Sequence, residues 1–277
     1  MNFINCGGNS SPELLRKTVI FWSENSYQHI SSLLKSTNGT TAVLQPFFRE
    51  QLKGFYESFV AINQAFKEKN MPNSSYVGFL RLNQGFINLL ERIKFEGFSG
   101  YPVLQQSVFH YIYEQRYINA VFGNKNMAGN VLITAYFLPF LNQSINCFYN
   151  QMYFWSIIGA MHPSLIMGNN AFYNAINGYA KELLTEICNS FNRINFELSS
   201  LKKPIKKSAL AQIFEEFKYL NITFLEFLKQ IKQNSIKIFS SPSITRLPSD
   251  FYKGVDHMIG EHTLVAEINE NIEKMLK

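Results

Sequence analysis

Cysteine is scarce in this chain of 277 residues. Cys6, Cys147 and Cys188 are odd in number, far apart and never in Cys-x-x-Cys spacing, so neither a disulfide framework nor a thiolate metal site is expected. Charge is sparse too, at 17% of residues, and the net +6 comes from dispersed lysines and arginines. The densest basic run, Lys202-Lys203-Pro204-Ile205-Lys206-Lys207, reads as a solvated linker, and no nucleic-acid motif accompanies it, so no nucleic-acid partner is expected. Long apolar runs are missing as well. Residues 126 to 180 contain no Lys, Arg, Asp or Glu, yet Asn, Gln, Ser and His interrupt them throughout. The purest part, Val131 to Leu141, falls far short of the ~20 residues a spanning helix needs and holds Pro139, so a buried helix is expected in place of a membrane span. The first eight residues lack a charged segment followed by an apolar one, so no secretory signal is read there and the expected location is cytoplasmic. Glycine-rich phosphate loops, a Ser-His-Asp order and a nucleophile elbow are not visible.

What the chain does have is apolar material, 46% of residues, ample for one or two packed cores. At one domain per ~150 residues, the length points to about two domains. Ser11-Pro12-Glu13 has the pattern of a helix start, with an N-cap, a proline at the first helical position and an acid in the first turn. Apolar residues then recur at helical spacing to about Leu34. Further helices are expected over about Thr41–Lys69, Tyr76–Phe95 and Val103–Val121, separated by Gly, Pro and Asn-rich breaks. No alternating strand pattern appears.

Tryptophan and histidine are rare, at 2 and 5 residues, and their placement is the most informative feature of the chain. Phe21-Trp22-Ser23 leads to His29, and Phe154-Trp155-Ser156 leads to His162, the same Trp-to-His spacing in both. A His-x-x-x-Glu pair closes each half, His110 with Glu114 and His257 with Glu261. Between these ends, Leu82-Asn83-x-x-Phe86-x-x-x-Leu90-x-x-Ile93-Lys94 matches Leu220-Asn221-x-x-Phe224-x-x-x-Leu228-x-x-Ile231-Lys232. Ser58-Phe59-x-x-Ile62-Asn63 likewise matches Ser190-Phe191-x-x-Ile194-Asn195, which sets Glu50 opposite Glu182. Such self-similarity is the signature of an internal duplication. The expected architecture is all-α, with two tandem four-helix bundles over residues 1–125 and 126–277.

On a helix, residues seven apart share a face, as do residues four apart. If the first and fourth helices of each bundle are neighbours, His29 meets His110 and Glu114, and His162 meets His257 and Glu261. Two histidines and one carboxylate form the ligand set favoured by non-haem iron, and they suit manganese or zinc. Glu50 and Glu182 are candidates for a further ligand in each half. The competing expectation is a metal-free helical structural or interaction protein whose His/Glu pairs form a buried polar layer. His262 has Gln115 at its matched place and is expected outside the centre. Asp256, directly before His257, is a candidate for orienting it, although Phe109 stands at the matched place.

The Phe-Trp-x6-His opening, the Asp256-His257-Met258-x-x-Glu261 closing motif and the doubled helical layout resemble a bacterial family of ferritin-like proteins, domain-of-unknown-function family 2935. The resemblance runs from about Leu14 to Leu276. It implies two ferritin-like bundles with a metal centre, iron or manganese, and supports His29, His110, Glu114, His162, His257 and Glu261 as its ligands. The chain departs from that family's pattern at Gln28 and Met161, where an acid often precedes the histidine, and at Tyr113 and Gly260, where arginine often precedes the glutamate. With fewer carboxylates, a mononuclear centre is expected over a dinuclear one. Pro163, next to His162, is expected to bend its helix. The expected partners are a metal ion and, as an open alternative, a second copy of the chain in a homodimer.

Overall fold

A computed structural model describes residues 12–36, 44–68, 71–97, 102–123, 145–202, 204–235, 237–240 and 247–276. Among these residues the protein is all-helical, and the one β-pairing is an isolated antiparallel bridge between Ile176 and Phe239. No helix of the described residues is long and apolar enough to cross a membrane. The chain divides into two compact units, one within Gly7–Leu141 and one within Asn142–Lys277. The expected boundary after residue 125, and the apolar helix expected from Val131, lie outside the described residues.

In the unit of residues 7–141, α1 spans Pro12–Ser36, with Glu13 in its first turn and Lys35 in its last, each complementing the helix dipole. The helix α2 runs Pro46–Lys67 and starts at its proline, because the residue before a proline is driven out of the helical region. Its buried residues Phe48, Leu52, Phe59, Asn63 and Phe66 form one stripe along the helix. Then come α3, Asn73–Arg92, a π-helical turn at Ile93–Gly97, and α4, Pro102–Gly123. α1 packs along α2 and α3 along α4, while α2 with α3 and α1 with α4 close the group. Gly54 is an exposed position in the middle of α2, and a Cβ there would meet nothing within 4 Å. Gly54→Ala is therefore expected to raise stability by about 0.5–1 kcal/mol, seen as a higher denaturant midpoint.

In the unit of residues 142–277, α5 spans Ile145–Met167 and continues through Pro163, with the Cys188 thiol donating to the Ala160 carbonyl beside it at 3.5 Å. A short helix, α6, Asn170–Ala175, precedes α7, Gly178–Ser200, and both are capped by asparagine side chains, Asn169 and Asn177. α8 covers Lys207–Lys232 and α9 covers Ser249–Leu276. α5 packs on α7 and α8 on α9, and α5 also touches α8 and α9. Backbone bonds from Asn177 to Ile238 and from Ser240 to Ala175 pin the segment after α6 to residues 238–240.

The two units repeat the same internal ties. Asn63 on α2 donates to Ser23 Oγ on α1 at 3.0 Å, and Asn195 on α7 donates to Ser156 Oγ on α5 at 3.1 Å. Asn83 on α3 donates to the Gln115 carbonyl on α4 at 2.8 Å, and Asn221 on α8 donates to the His262 carbonyl on α9 at 3.0 Å. Phe59 packs edge-on against Phe79 and Phe86, as Phe191 does against Phe217 and Phe224. Trp22 and Trp155 are buried, each edge-on to the phenylalanine before it. A buried amide bond of this kind contributes about 0.5–1.5 kcal/mol net, and leaving one partner unmatched costs about 1–3 kcal/mol.

Candidate metal centres

In the 7–141 unit, α1 carries His29 inward and α4 carries His110 and Glu114 one turn apart on its inner face. All three side chains are buried. His29 Nε2 lies 3.4 Å from one oxygen of Glu114, and His110 Nε2 lies 3.0 Å from the other. Tyr111 stacks on the His29 ring with centroids 4.0 Å apart, fixing the plane of that imidazole. One ligand atom from each of His29, His110 and Glu114 falls within 4.8 Å of the others.

The 142–277 unit builds the same arrangement from α5 and α9. His162 Nε2 is 3.1 Å from one oxygen of Glu261, and His257 Nε2 is 3.1 Å from the other. His162 and Glu261 are fully buried, while His257 keeps 12% of its side chain exposed, so this cluster has one edge toward solvent. Burial pushes the Glu261 carboxyl up, but the charges and hydrogen bonds of His257 and His162 outweigh it and hold the group well below the usual carboxylate range. Glu261 is therefore an anion at neutral pH, buried beside two imidazoles.

These separations suit a shared cation. Metal–nitrogen and metal–oxygen bonds of about 2.1 Å put neighbouring donors roughly 3.0 Å apart at right angles and roughly 3.4 Å apart in a tetrahedron. Buried His29, His110 and Glu114 could together hold a metal ion, and buried His162 and Glu261 offer donors for one.

Glu50 and Glu182 do not join these clusters. Glu50 is 70% exposed and ion-paired with Lys53, and Glu182 lies on an exposed face beside a surface cleft lined by Tyr173, Lys181 and Arg193. The cause is helical phase. Glu50 sits two residues from buried Phe48 and Leu52, and Glu182 two from buried Ala180 and Leu184, which turns each about 200° away from the inner stripe. Asp256 does not orient His257; it is half exposed and pairs with Lys232.

His262, expected outside the centre, is instead fully buried and stands directly behind His162. His262 Nε2 is 3.0 Å from His162 Nδ1, and His262 Nδ1 is 2.7 Å from Asn221 Oδ1. The available signal was that Gln115 and His262 are both polar at matched places, each directly after the glutamate of its half. In the 7–141 unit Gln115 accepts from Ser26 Oγ at 3.0 Å, and at the place matched to Ser26 the other unit has Gly159. Comparison with protein-family models and with curated proteins finds no match for this chain.

Proposed function

We propose that this is a ferritin-like protein of two tandem four-helix bundles related by internal duplication, each binding one transition-metal ion, iron or manganese, through two histidines and a glutamate. The observation that carries this reading is the repetition of one construction. His29, His110 and Glu114, and again His162, His257 and Glu261, place one carboxylate oxygen on each imidazole Nε2 at 3.0–3.4 Å. The matched Ser–Asn ties, asparagine-to-carbonyl ties and phenylalanine triplets support the duplication. A divalent ion on two neutral imidazoles and one carboxylate keeps open positions for water, dioxygen or a substrate, and supplies Lewis-acid and, with iron or manganese, redox capacity. The role supported best is metal or oxygen handling.

The test is metal analysis of tag-free full-length protein from minimal medium supplemented with iron, manganese or zinc. About one ion per triad is expected. His110→Ala should remove metal from the first triad and His257→Ala from the second, with both lost in the double variant. Loss of all metal from either change alone would overturn independent binding. Substoichiometric metal under every supplement would overturn metal binding and leave the buried polar layer as the reading.

A further inference from the structure

Resting on that metal reading, we infer that His262, held by Asn221, is a positioning residue that fixes His162 as an Nε2 ligand and so sets the metal affinity of the 142–277 unit. The chain of bonds can be followed from a fixed point. The Asn221 side chain donates through Nδ2 to the His262 backbone carbonyl at 3.0 Å, and a carbonyl can only accept. The amide is thereby oriented, and its oxygen is the atom 2.7 Å from His262 Nδ1. That oxygen accepts, so His262 Nδ1 carries the proton. In the neutral ring the other nitrogen, Nε2, is then an acceptor. It faces His162 Nδ1 at 3.0 Å, and the proton of that contact belongs to His162. With Nδ1–H of His162 engaged, its Nε2 lone pair points at Glu261 Oε2, 3.1 Å away.

Two electron-pair donors face each other there, and only a cation between them makes the contact favourable. A metal ion or a proton on His162 Nε2 meets that need, and the tautomer set by His262 is the one a metal requires. The relay is packed in place. Phe224 sits edge-on to the His262 ring at 4.7 Å, and Phe191 lies 6.2 Å from it. The room for Phe191 comes from Gly159 on α5, where a Cβ would stand 2.6 Å from the Phe191 ring. Glycine at 159, phenylalanine at 191 and histidine at 262 thus form one constellation on three helices.

Zinc titration against a competing chelator tests this in the full-length chain carrying His110→Ala, so that binding reports on His162, His257 and Glu261. Adding His262→Gln, the residue type found at the matched position 115, is expected to weaken zinc binding about 10–100-fold while the ion still binds at saturation. Long-range nitrogen–proton correlation on the unaltered chain is expected to show His262 protonated at Nδ1 and bare at Nε2, and this decides the matter alone should His262→Gln unfold. Unchanged zinc affinity in His262→Gln, or His262 protonated at Nε2 with Nδ1 bare, overturns the positioning role and leaves the metal reading intact. Absence of zinc from the His110→Ala parent, when the unaltered chain binds it, overturns the positioning role together with independent binding by the two triads; absence of zinc from the unaltered chain as well overturns the metal reading.

Discussion

Replacing Glu261 with alanine is expected to abolish metal retention by the 142–277 unit and to destabilise that unit even when metal-free. Glu261 meets both histidines of its cluster, one with each oxygen, so its loss should exceed the about 10–100-fold cost of losing an outer partner. In the metal-free protein the deletion leaves His162 buried beside the gap, and breaking a buried pair costs about 3–5 kcal/mol. The pH dependence follows from the depressed carboxyl. Its folded-state value lies below its ordinary 4.5, so its stabilisation is complete above that value and is lost as pH falls toward the lowered one. Glu261→Gln keeps the shape without the charge and should flatten this acid limb. Denaturant unfolding in a Trp22→Phe background, where Trp155 fluoresces alone, measures both effects. A metal-free Glu261→Ala protein as stable as its parent would show that the cluster is held by packing alone.

Phe191→Ala is expected to cost the same unit about 3–5 kcal/mol, the usual range for emptying a buried phenylalanine site. The ring is fully buried and packs against Phe217, Phe224 and His262. It also lies where a side chain at 159 would go, so Gly159→Ala alone should destabilise by about 1–3 kcal/mol through overpacking. Once the ring is gone that clash is gone, and the same change should then be neutral or stabilising by up to about 1 kcal/mol through helix propensity. The sign reversal between the two backgrounds, read in a double-mutant cycle, is the result to look for. Additive costs would mean that Phe191 and residue 159 do not share space.

Much of this was legible from the residues themselves. The start of α1 could be read from Ser11-Pro12-Glu13, and the inward pairing of His110 with Glu114 from one helical turn. The start of α2 was misplaced, since apolar spacing begins before Pro46 while Leu44 and Gln45 lie outside the helix, with Gln45 at φ −53° and ψ 140°. Glu50 and Glu182 were drawn into the site by their alignment with each other, which carries no information on direction; phase against Phe48 and Ala180 turns them outward. His262 escaped because the comparison of halves favours shared residues, whereas its role exists in one half only. α6 and the bridge to Phe239 depend on a pairing across some sixty positions, and local pattern carries no trace of it.

The Ser–Asn and Asn–carbonyl ties have a consequence beyond their own bond energies. Helices meeting through leucine and phenylalanine alone can slide or roll against each other at little cost, since one greasy contact replaces another. A slip of a single turn displaces a residue by about 5.4 Å, more than twice the length of a metal–ligand bond of about 2.1 Å. Ser23 with Asn63, and Asn83 with the carbonyl of Gln115, can be satisfied in only one setting of their helices. They act as detents within the α1–α2 and α3–α4 pairs, and Ser26 Oγ, donating to Gln115 Oε1 at 3.0 Å, holds α1 against α4 in the setting from which His29 reaches Glu114.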